Sequence, residues 1–336
     1  MSTRALYVSM IQDYWGNSIL DFTQKVLMLQ RLCSTAVAPT AEDANPLHIV
    51  VAPEYFFRKS PAAAVRKLKD SYHATDSLGV PRISPATFAH FAGSKDKSTM
   101  FSRAERELLE FHMIQATKGR NVLVIPGTIF WTQTTPTIGR FGKVTGRGIV
   151  RNTMLVIYRG NVIKSYHKMV ESHELDSFET KAFDFHGGHN DGTFEAGGLS
   201  IGAEVCADHT GSNNLKSTVI SRANPHMTRD AVFLHNKLSA QNRDGSKAND
   251  IGLDVHIVVS DGMAFTSSAA RKGGCAIHCD TKQPLAVKMS HPTSGALADV
   301  APIGNRHWLV KLEQSTERAQ SFQNAKTAMA ANFKPR

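Results

Sequence analysis

Short apolar runs alternate with helix-like patterns through the first half of the chain, which predicts strands and helices in turn. The apolar runs at 4–11, 47–53 and 121–131 have the length of single strands, and the last two are continuous enough to be buried on both faces. Residues 18–33 place apolar side chains at intervals of three and four, as on one face of a helix.

A second helix is predicted from a capping signal. Ser102 and Glu105 have the spacing of a capping box, and they precede an amphipathic run that Gly119 ends. Helices between buried strands indicate the α/β class.

The second half of the chain is richer in strand patterns. Residues 149–168 predict a hairpin that turns at Arg159-Gly160-Asn161. The polar stretch 207–250 predicts mainly loop and short helix, and the tail from Ser315 predicts a surface helix. We therefore expect one domain over 1–313 and a helical tail over 314–336. Further strands are predicted at 198–205, 254–265, 273–280 and 307–313.

Composition agrees with a globular protein of 336 residues, since 41% of them are hydrophobic and 20% are charged. The sequence has neither an apolar window long enough to span a membrane nor a secretory signal pattern at its start, so we expect a cytoplasmic protein without a membrane partner. Four cysteines are too few for a disulfide scaffold. The net charge of +10 comes from scattered residues, which predicts a basic surface and no nucleic-acid partner.

Three chemically capable residues each stand where an apolar strand ends. Glu54 follows the run 47–53, Lys168 ends the hairpin, and Cys206 follows the run 198–205. The carboxyl ends of strands are where open α/β sheets build their sites. A carboxylate, an ammonium group and a thiol brought to one edge would make an activated nucleophile.

The three segments resemble the motifs of the nitrilase (carbon–nitrogen hydrolase) superfamily. They read VVAPEYFF at 50–57, RNTMLVIYRGNVIKSYHK at 151–168 and LSIGAEVCAD at 199–208, in the family's order. The resemblance extends from about residue 4 to about residue 313. It implies a four-layer α-β-β-α sandwich, a homodimer or higher homo-oligomer, and no cofactor or metal.

The resemblance also implies roles for single residues. Glu54 would be the general base, Cys206 the nucleophile that forms a thioester, and Lys168 would stabilise the oxyanion together with backbone N–H groups near Cys206. A second glutamate is expected between Lys168 and Cys206. Our choice is Glu179, and Glu174 and Glu171 remain open. We expect three residues next to the motifs to contact the substrate, namely Tyr55, Asp208 and His209.

The residues after the nucleophile narrow the substrate class. Nitrilases proper share a Cys-Trp-Glu sequence. Here Ala207 and Asp208 follow Cys206, which resembles the Cys-x-Asp pattern of amidases and carbamoylases. We therefore expect a small-molecule amide or carbamoyl substrate. The stretches 58–100 and 208–252 are longer than the family core, and we expect them to form walls of the substrate pocket.

Other interpretations of the same residues remain. Within enzymes they are a true nitrilase and an N-acyltransferase with the same triad, and outside enzymes a non-catalytic binding protein of this fold. A papain-like pairing of Cys206 with His209 or His291 would leave Glu54 and Lys168 unexplained. Zinc binding by Cys275, His278 and Cys279 lacks a second ligand pair, and alternation along a strand explains that pattern better.

Overall fold

The computed structural model describes residues 2–14, 18, 20–59, 100–138, 144–169, 171, 175, 182–188, 192–209, 253–265, 268 and 270–314. Within them, two mixed β-sheets pack face to face, because one apolar cluster contains buried side chains of both sheets. The two helices that belong to the described residues pack on the outer face of the first sheet. The predicted α/β sandwich is thereby confirmed.

The first sheet has the strand order β16-β1-β2-β3-β7-β4, and β8 and β9 also pair with β7. Its central strands β1, β2 and β3 are parallel, and its flanking pairs β1–β16 and β3–β7 are antiparallel. Its strands are β1 (Ser2–Met10), β2 (Leu47–Val51), β3 (Val122–Ile125), β4 (Thr128–Thr134), β7 (Gly148–Tyr158), β8 (Asn161–His167), β9 (Phe183–Phe185) and β16 (His307–Gln314).

The second sheet has the order β10-β11-β12-β13-β14-β15, again with three parallel strands at its centre. Its strands are β10 (Thr193–Ala196), β11 (Leu199–Val205), β12 (Leu253–Ser260), β13 (Ala270–Asp280), β14 (Ala286–Ser290) and β15 (Leu297–Asp299). A small separate ribbon pairs β5 (Thr137–Ile138) with β6 (Val144–Gly146).

The carboxyl ends of the central parallel strands of the two sheets lie close together. The thiol of Cys279, near the end of β13, lies 3.3 Å from the carbonyl oxygen of Ile11 and 3.7 Å from that of Val51, the last residue of β2. Side chains that follow β2 and β11 therefore come from neighbouring edges of facing sheets.

Both helices begin with a complete capping box. α1 (Phe22–Ser34) is capped by Asp21 with Gln24, and α2 (Arg103–Thr117) by Ser102 with Glu105, as the sequence predicts. Each helix buries one face against the first sheet. Among the described residues, no helix has an apolar stretch that could span a membrane.

The predicted hairpin is confirmed, since β7 and β8 pair across a turn at Arg159-Gly160. The prediction of a single strand at 121–131 is wrong, because Pro126-Gly127 interrupts it and separates β3 from β4. Gly127 has a φ of 75°, a conformation that glycine adopts readily. The strand predicted at 254–265 ends earlier, at Ser260. The tail 314–336 lies, apart from its first residue, outside the described residues, as do 60–99 and 210–252 of the predicted pocket walls.

We predict that Gly127→Ala destabilises the fold more than Gly119→Ala does. A Cβ atom at Gly127 would lie 2.2 Å from the carbonyl oxygen of Pro53, whereas at Gly119 (φ 69°) it would meet nothing within 4 Å. The left-handed backbone costs an alanine about 1–2 kcal/mol at either position, and the clash adds about 1–3 kcal/mol at Gly127 alone. Urea unfolding of both variants measures the difference. Equal losses of stability would contradict the close approach of Gly127 to the Glu54 turn.

Candidate active site

Glu54 lies in a tight turn just beyond the carboxyl end of β2. The turn is anchored to β4, because Thr128 accepts the backbone N–H of Tyr55 at its hydroxyl (2.8 Å) and that of Phe57 at its carbonyl (3.1 Å). Tyr55 has a φ of 57°, a strained value for a residue with a side chain. These bonds hold the strained turn and direct the Glu54 side chain into the buried space beyond the strand.

A buried lysine of α1 supports the same turn from the other side. The Lys25 ammonium donates to the carbonyl oxygen of Phe56 at 2.6 Å and lies 5.2 Å from the centre of the Phe56 ring. Burial lowers the pKa of Lys25 to about 8, although the nearby Asp13 carboxylate acts in the opposite direction. Helix α1 is thereby tied to the segment that carries Glu54.

The Glu54 carboxylate and the Lys168 ammonium form a fully buried ion pair. Lys168 Nζ donates to Glu54 Oε1 at 2.8 Å, and Asn152 Nδ2 donates to the same oxygen at 3.0 Å. Lys168 and Glu54 have side-chain exposures of 0% and 1%, so water does not screen their attraction. A charge-assisted hydrogen-bond network thus joins the ends of β2 and β8 through the middle of β7.

Lys168 is positioned by its own backbone and by its neighbours. Its N–H donates to the carbonyl oxygen of Asn152 at 2.8 Å. The next N–H, that of Met169, donates to both carboxylate oxygens of Asp208 at 3.1 and 3.0 Å, and the Tyr166 hydroxyl donates to Asp208 at 2.6 Å. The buried Asp208 carboxylate therefore links the lysine segment to the turn that carries Cys206.

Cys206 follows β11 in a left-handed backbone conformation with a φ of 43°. Its N–H donates to the carbonyl oxygen of Val259 at 2.9 Å, so that donor is already engaged and is not a source of oxyanion stabilisation. The expectation that backbone N–H groups near Cys206 stabilise the oxyanion therefore rests on its neighbours and not on its own N–H.

The thiol of Cys206 lies within electrostatic reach of Glu54 and Lys168. Burial raises the pKa of the thiol and the Glu54 charge raises it further, whereas the Lys168 charge and a backbone hydrogen bond from Asp261 lower it. A thiol beside a carboxylate and an ammonium group has the neighbours that an activated cysteine nucleophile needs.

The loop that contributes Asp261 is held by a buried carboxylate. Asp280 accepts the backbone N–H groups of Gly262 (3.0 and 2.9 Å) and Met263 (3.0 Å). Burial alone would raise the pKa of Asp280, but hydrogen bonds from Ser260 and from backbone N–H groups outweigh it, so the pKa is lowered. The carboxylate therefore stays ionised and keeps the loop against Cys206.

The structure brings Glu54, Lys168 and Cys206 together, as the sequence predicts. Tyr55 borders the pair, since its ring centre lies 5.8 Å from Lys168 Nζ. Of the three candidate second glutamates, Glu171 is exposed, and Glu174 and Glu179 lie outside the described residues.

Asp208 and His209 are both buried. The described contacts of Asp208 are with Tyr166 and Met169, and His209 contacts Glu204. These contacts position the chain around Cys206, and contact of either residue with a substrate remains a prediction. Cys275 and Cys279 lie in the core between the sheets, whereas His278 contacts Phe265, so the three do not share one face of β13.

Sequence reasoning assigned no role to Asn152, Tyr166 or Asp261. Asn152 carries the best signal of the three, because it is an amide inside a strand that is mainly apolar. Such a group must find a buried partner, and here the partner is Glu54.

Comparisons with known proteins found no matching family model and no matching curated protein. Among solved structures, the chain is similar to Nit3 from Saccharomyces cerevisiae, a member of branch 10 of the nitrilase superfamily. The identity is 13%, the TM-score is 0.43, and the match covers 96% of this chain and 94% of Nit3.

The chain is also similar to a mutant of an amidase of the nitrilase superfamily from Nesterenkonia AN1. The identity is 11%, the TM-score is 0.44, and the match covers 98% of this chain and 96% of the amidase. Another mutant of this amidase, with the acetamide moiety of fluoroacetamide added covalently at its active-site cysteine, gives 11% identity and a TM-score of 0.44 over 99% and 97% of the two chains. Nit3 and this amidase are both members of the nitrilase superfamily.

We predict that iodoacetamide labels Cys206 before the other three cysteines, and that Glu54→Gln shifts this reaction to lower pH. Cys33, Cys275 and Cys279 are fully buried, whereas Cys206 is partly exposed. Because the Glu54 charge raises the pKa of Cys206, its removal should move the alkylation midpoint down by about 1–3 pH units. Peptide mass spectrometry across a pH series measures the midpoint.

The matched control for this experiment is Glu107→Gln, which removes an exposed carboxylate of α2. Its midpoint should equal that of the wild type. An unchanged or higher midpoint in Glu54→Gln would contradict contact between the carboxylate and the thiol.

Proposed function

We propose that this chain is a cysteine-dependent carbon–nitrogen hydrolase that cleaves a non-peptide amide or carbamoyl bond through a thioester on Cys206. The observation that carries the proposal is the buried, hydrogen-bonded pair of Glu54 and Lys168 with the Cys206 thiol beside it. A base, a cation and a nucleophile in one buried space are the parts that acyl transfer from an amide needs.

The first half of the proposed reaction forms the thioester. Cys206 Sγ attacks the substrate carbonyl carbon while its proton passes to the Glu54 carboxylate. The carbonyl oxygen becomes an oxyanion, which the Lys168 ammonium stabilises. When this intermediate collapses, the C–N bond breaks and the leaving amine takes the proton from Glu54.

The second half restores the enzyme. A water molecule gives a proton to the Glu54 carboxylate and attacks the thioester carbonyl carbon. The oxyanion forms again beside Lys168, the C–S bond breaks, and the thiolate takes the proton from Glu54. The acid leaves, and Cys206 and Glu54 return to their starting protonation states.

The buried ion pair is better explained by catalysis than by stability. Placing two charges out of water costs several kcal/mol each before their attraction offsets it, and apolar residues of similar volume are often as stabilising. The Glu54 and Lys168 side chains are nevertheless both buried, and one carboxylate oxygen accepts two hydrogen bonds. This preorganised charge suits a transition state in which a proton moves and an oxyanion forms.

An amide or carbamoyl group suits the residues around the nucleophile better than a nitrile. Nitrilases proper share a tryptophan at the position that Ala207 occupies here. The small alanine side chain leaves room beside Cys206 for a planar group. We further propose that Tyr55 and Asp208 border the substrate and that Glu179 is the second glutamate.

We also propose a homodimer or higher homo-oligomer formed through the helical layer, in the cytoplasm. Support for the interface comes from α2, on which Leu108 and Phe111 are 45% and 55% exposed. Apolar side chains exposed together on one helix are typical of an interaction surface.

A substrate panel tests the reaction class. Primary amides, N-carbamoyl compounds and nitriles are compared at equal concentration by ammonia release, with Cys206→Ala as the background. We expect release from amides or carbamoyl compounds that depends on Cys206. Cys206-dependent hydrolysis of nitriles alone would show that the chain is a nitrilase, and a trapped acyl-cysteine that only an added amine releases would favour an acyltransferase.

We predict that Glu54→Gln and Lys168→Met each lower kcat/KM at least about 100-fold, since a general base and an oxyanion donor each contribute about that much. The matched controls Glu107→Gln and Lys164→Met change an exposed carboxylate of α2 and a half-buried lysine of β8, and both should keep wild-type kcat/KM. Circular dichroism confirms that each variant is folded. A folded variant with more than about a tenth of wild-type kcat/KM would contradict the role of its residue.

A further inference from the structure

The outer face of the second sheet carries a cluster of one carboxylate and two imidazoles. Glu204 of β11 and His256 of β12 are on this face, because the residues on either side of each belong to the core between the sheets. His209 joins them from the turn after Cys206, where its N–H donates to the Cys206 carbonyl oxygen at 2.9 Å. The cluster therefore involves the strand before the nucleophile, the turn after it and the neighbouring strand.

The three side chains converge on one point. Glu204 Oε2 lies 2.7 Å from His209 Nδ1 and 3.1 Å from His256 Nε2, and one ligand atom from each residue lies within 4.8 Å of the others. A four-coordinate zinc ion with bonds of about 2.0–2.1 Å separates its ligand atoms by about 3.3–3.5 Å. The cluster is thus close to the size that such an ion requires.

Neighbouring side chains also fix the orientation of both imidazole rings. The second nitrogen of His256, Nδ1, lies 3.3 Å from the Ser268 hydroxyl. The ring of His209 stacks on Phe265, with 5.5 Å between ring centres and 15° between planes. A hydrogen bond to the far nitrogen is the support that metal-binding histidines usually have. Both rings are 1% exposed, so their positions are set by packing.

We propose that Glu204, His209 and His256 bind one divalent transition-metal ion of the zinc type. Two imidazoles and a carboxylate favour such an ion over Mg²⁺ or Ca²⁺, which prefer sets made wholly of oxygen ligands. Bound there, the ion joins the strand that enters Cys206 to the turn that leaves it, and water fills its fourth position. The site is separate from Glu54 and Lys168 and does not depend on the proposed reaction.

Metal binding replaces the hydrogen bonds between the two imidazole rings and Glu204, and the total number of ring protons stays the same. Before binding, each ring can donate an N–H to the same Glu204 oxygen. On binding, the metal takes His256 Nε2, and the ring proton lies on Nδ1, where the Ser268 hydroxyl accepts it. The ring proton of His209 moves to Nε2, and Glu204 remains a carboxylate.

The test uses the full-length protein after treatment with a chelator and dialysis. Isothermal titration with Zn²⁺ is expected to give one site per chain, Co²⁺ to give the visible d–d bands of a four-coordinate ion, and added Zn²⁺ to raise the Tm. None of these measurements requires turnover, so failure of the metal site and failure of the hydrolase proposal are distinguishable.

Single variants identify the ligands. Glu204→Gln, His209→Gln and His256→Gln should each weaken Zn²⁺ binding at least about 10-fold, because even supporting residues of metal sites contribute that much. The matched control is His278→Gln, which also changes a buried imidazole that stacks on Phe265, and it should bind as the wild type does. Absence of a stoichiometric site in the wild-type chain, or binding unchanged in folded ligand variants, would overturn the proposal.

Discussion

The buried ion pair between Glu54 and Lys168 is the constraint on which the rest of the site depends. The two residues are 114 positions apart and lie at the ends of different strands, yet their charged atoms are 2.8 Å apart and shielded from water. Loss of either partner would leave an uncompensated buried charge, at a cost of about 3–5 kcal/mol. The contacts around the pair, from Asn152 and from the Asp208 bridge, keep both strand ends in place.

The same constraint accounts for strain at two positions. Tyr55 and Cys206 both adopt positive φ angles, which cost of order 1–3 kcal/mol each for residues with side chains. Each is held by hydrogen bonds to the neighbouring strand, Tyr55 to Thr128 and Cys206 to Val259. The strain turns one side chain of each segment toward a common space, which a regular strand ending would not do.

Two polar residues of the second sheet show what a strand pattern predicts and what it leaves open. Glu204 and His256 stand within apolar strands, and the alternation of a strand sends them to the face opposite the core. Periodicity alone indicates which face they take but not what they meet there. They meet His209, which follows Cys206 in the chain, so the second sheet has a polar network of its own beside the candidate active site.

The sequence by itself predicted most of the long strands, both helices, the cap of α2, the hairpin and the three catalytic candidates, because these follow from local periodicity, capping chemistry and strand ends. It did not reveal the break at Pro126-Gly127, where close approach of the chain to Pro53 requires a glycine. Nor did it reveal Asn152 as a partner of Glu54, or Asp208 as the bridge between Lys168 and Cys206. Those contacts join segments far apart in the chain, and only the packing of two sheets with their carboxyl edges together decides which distant polar groups meet.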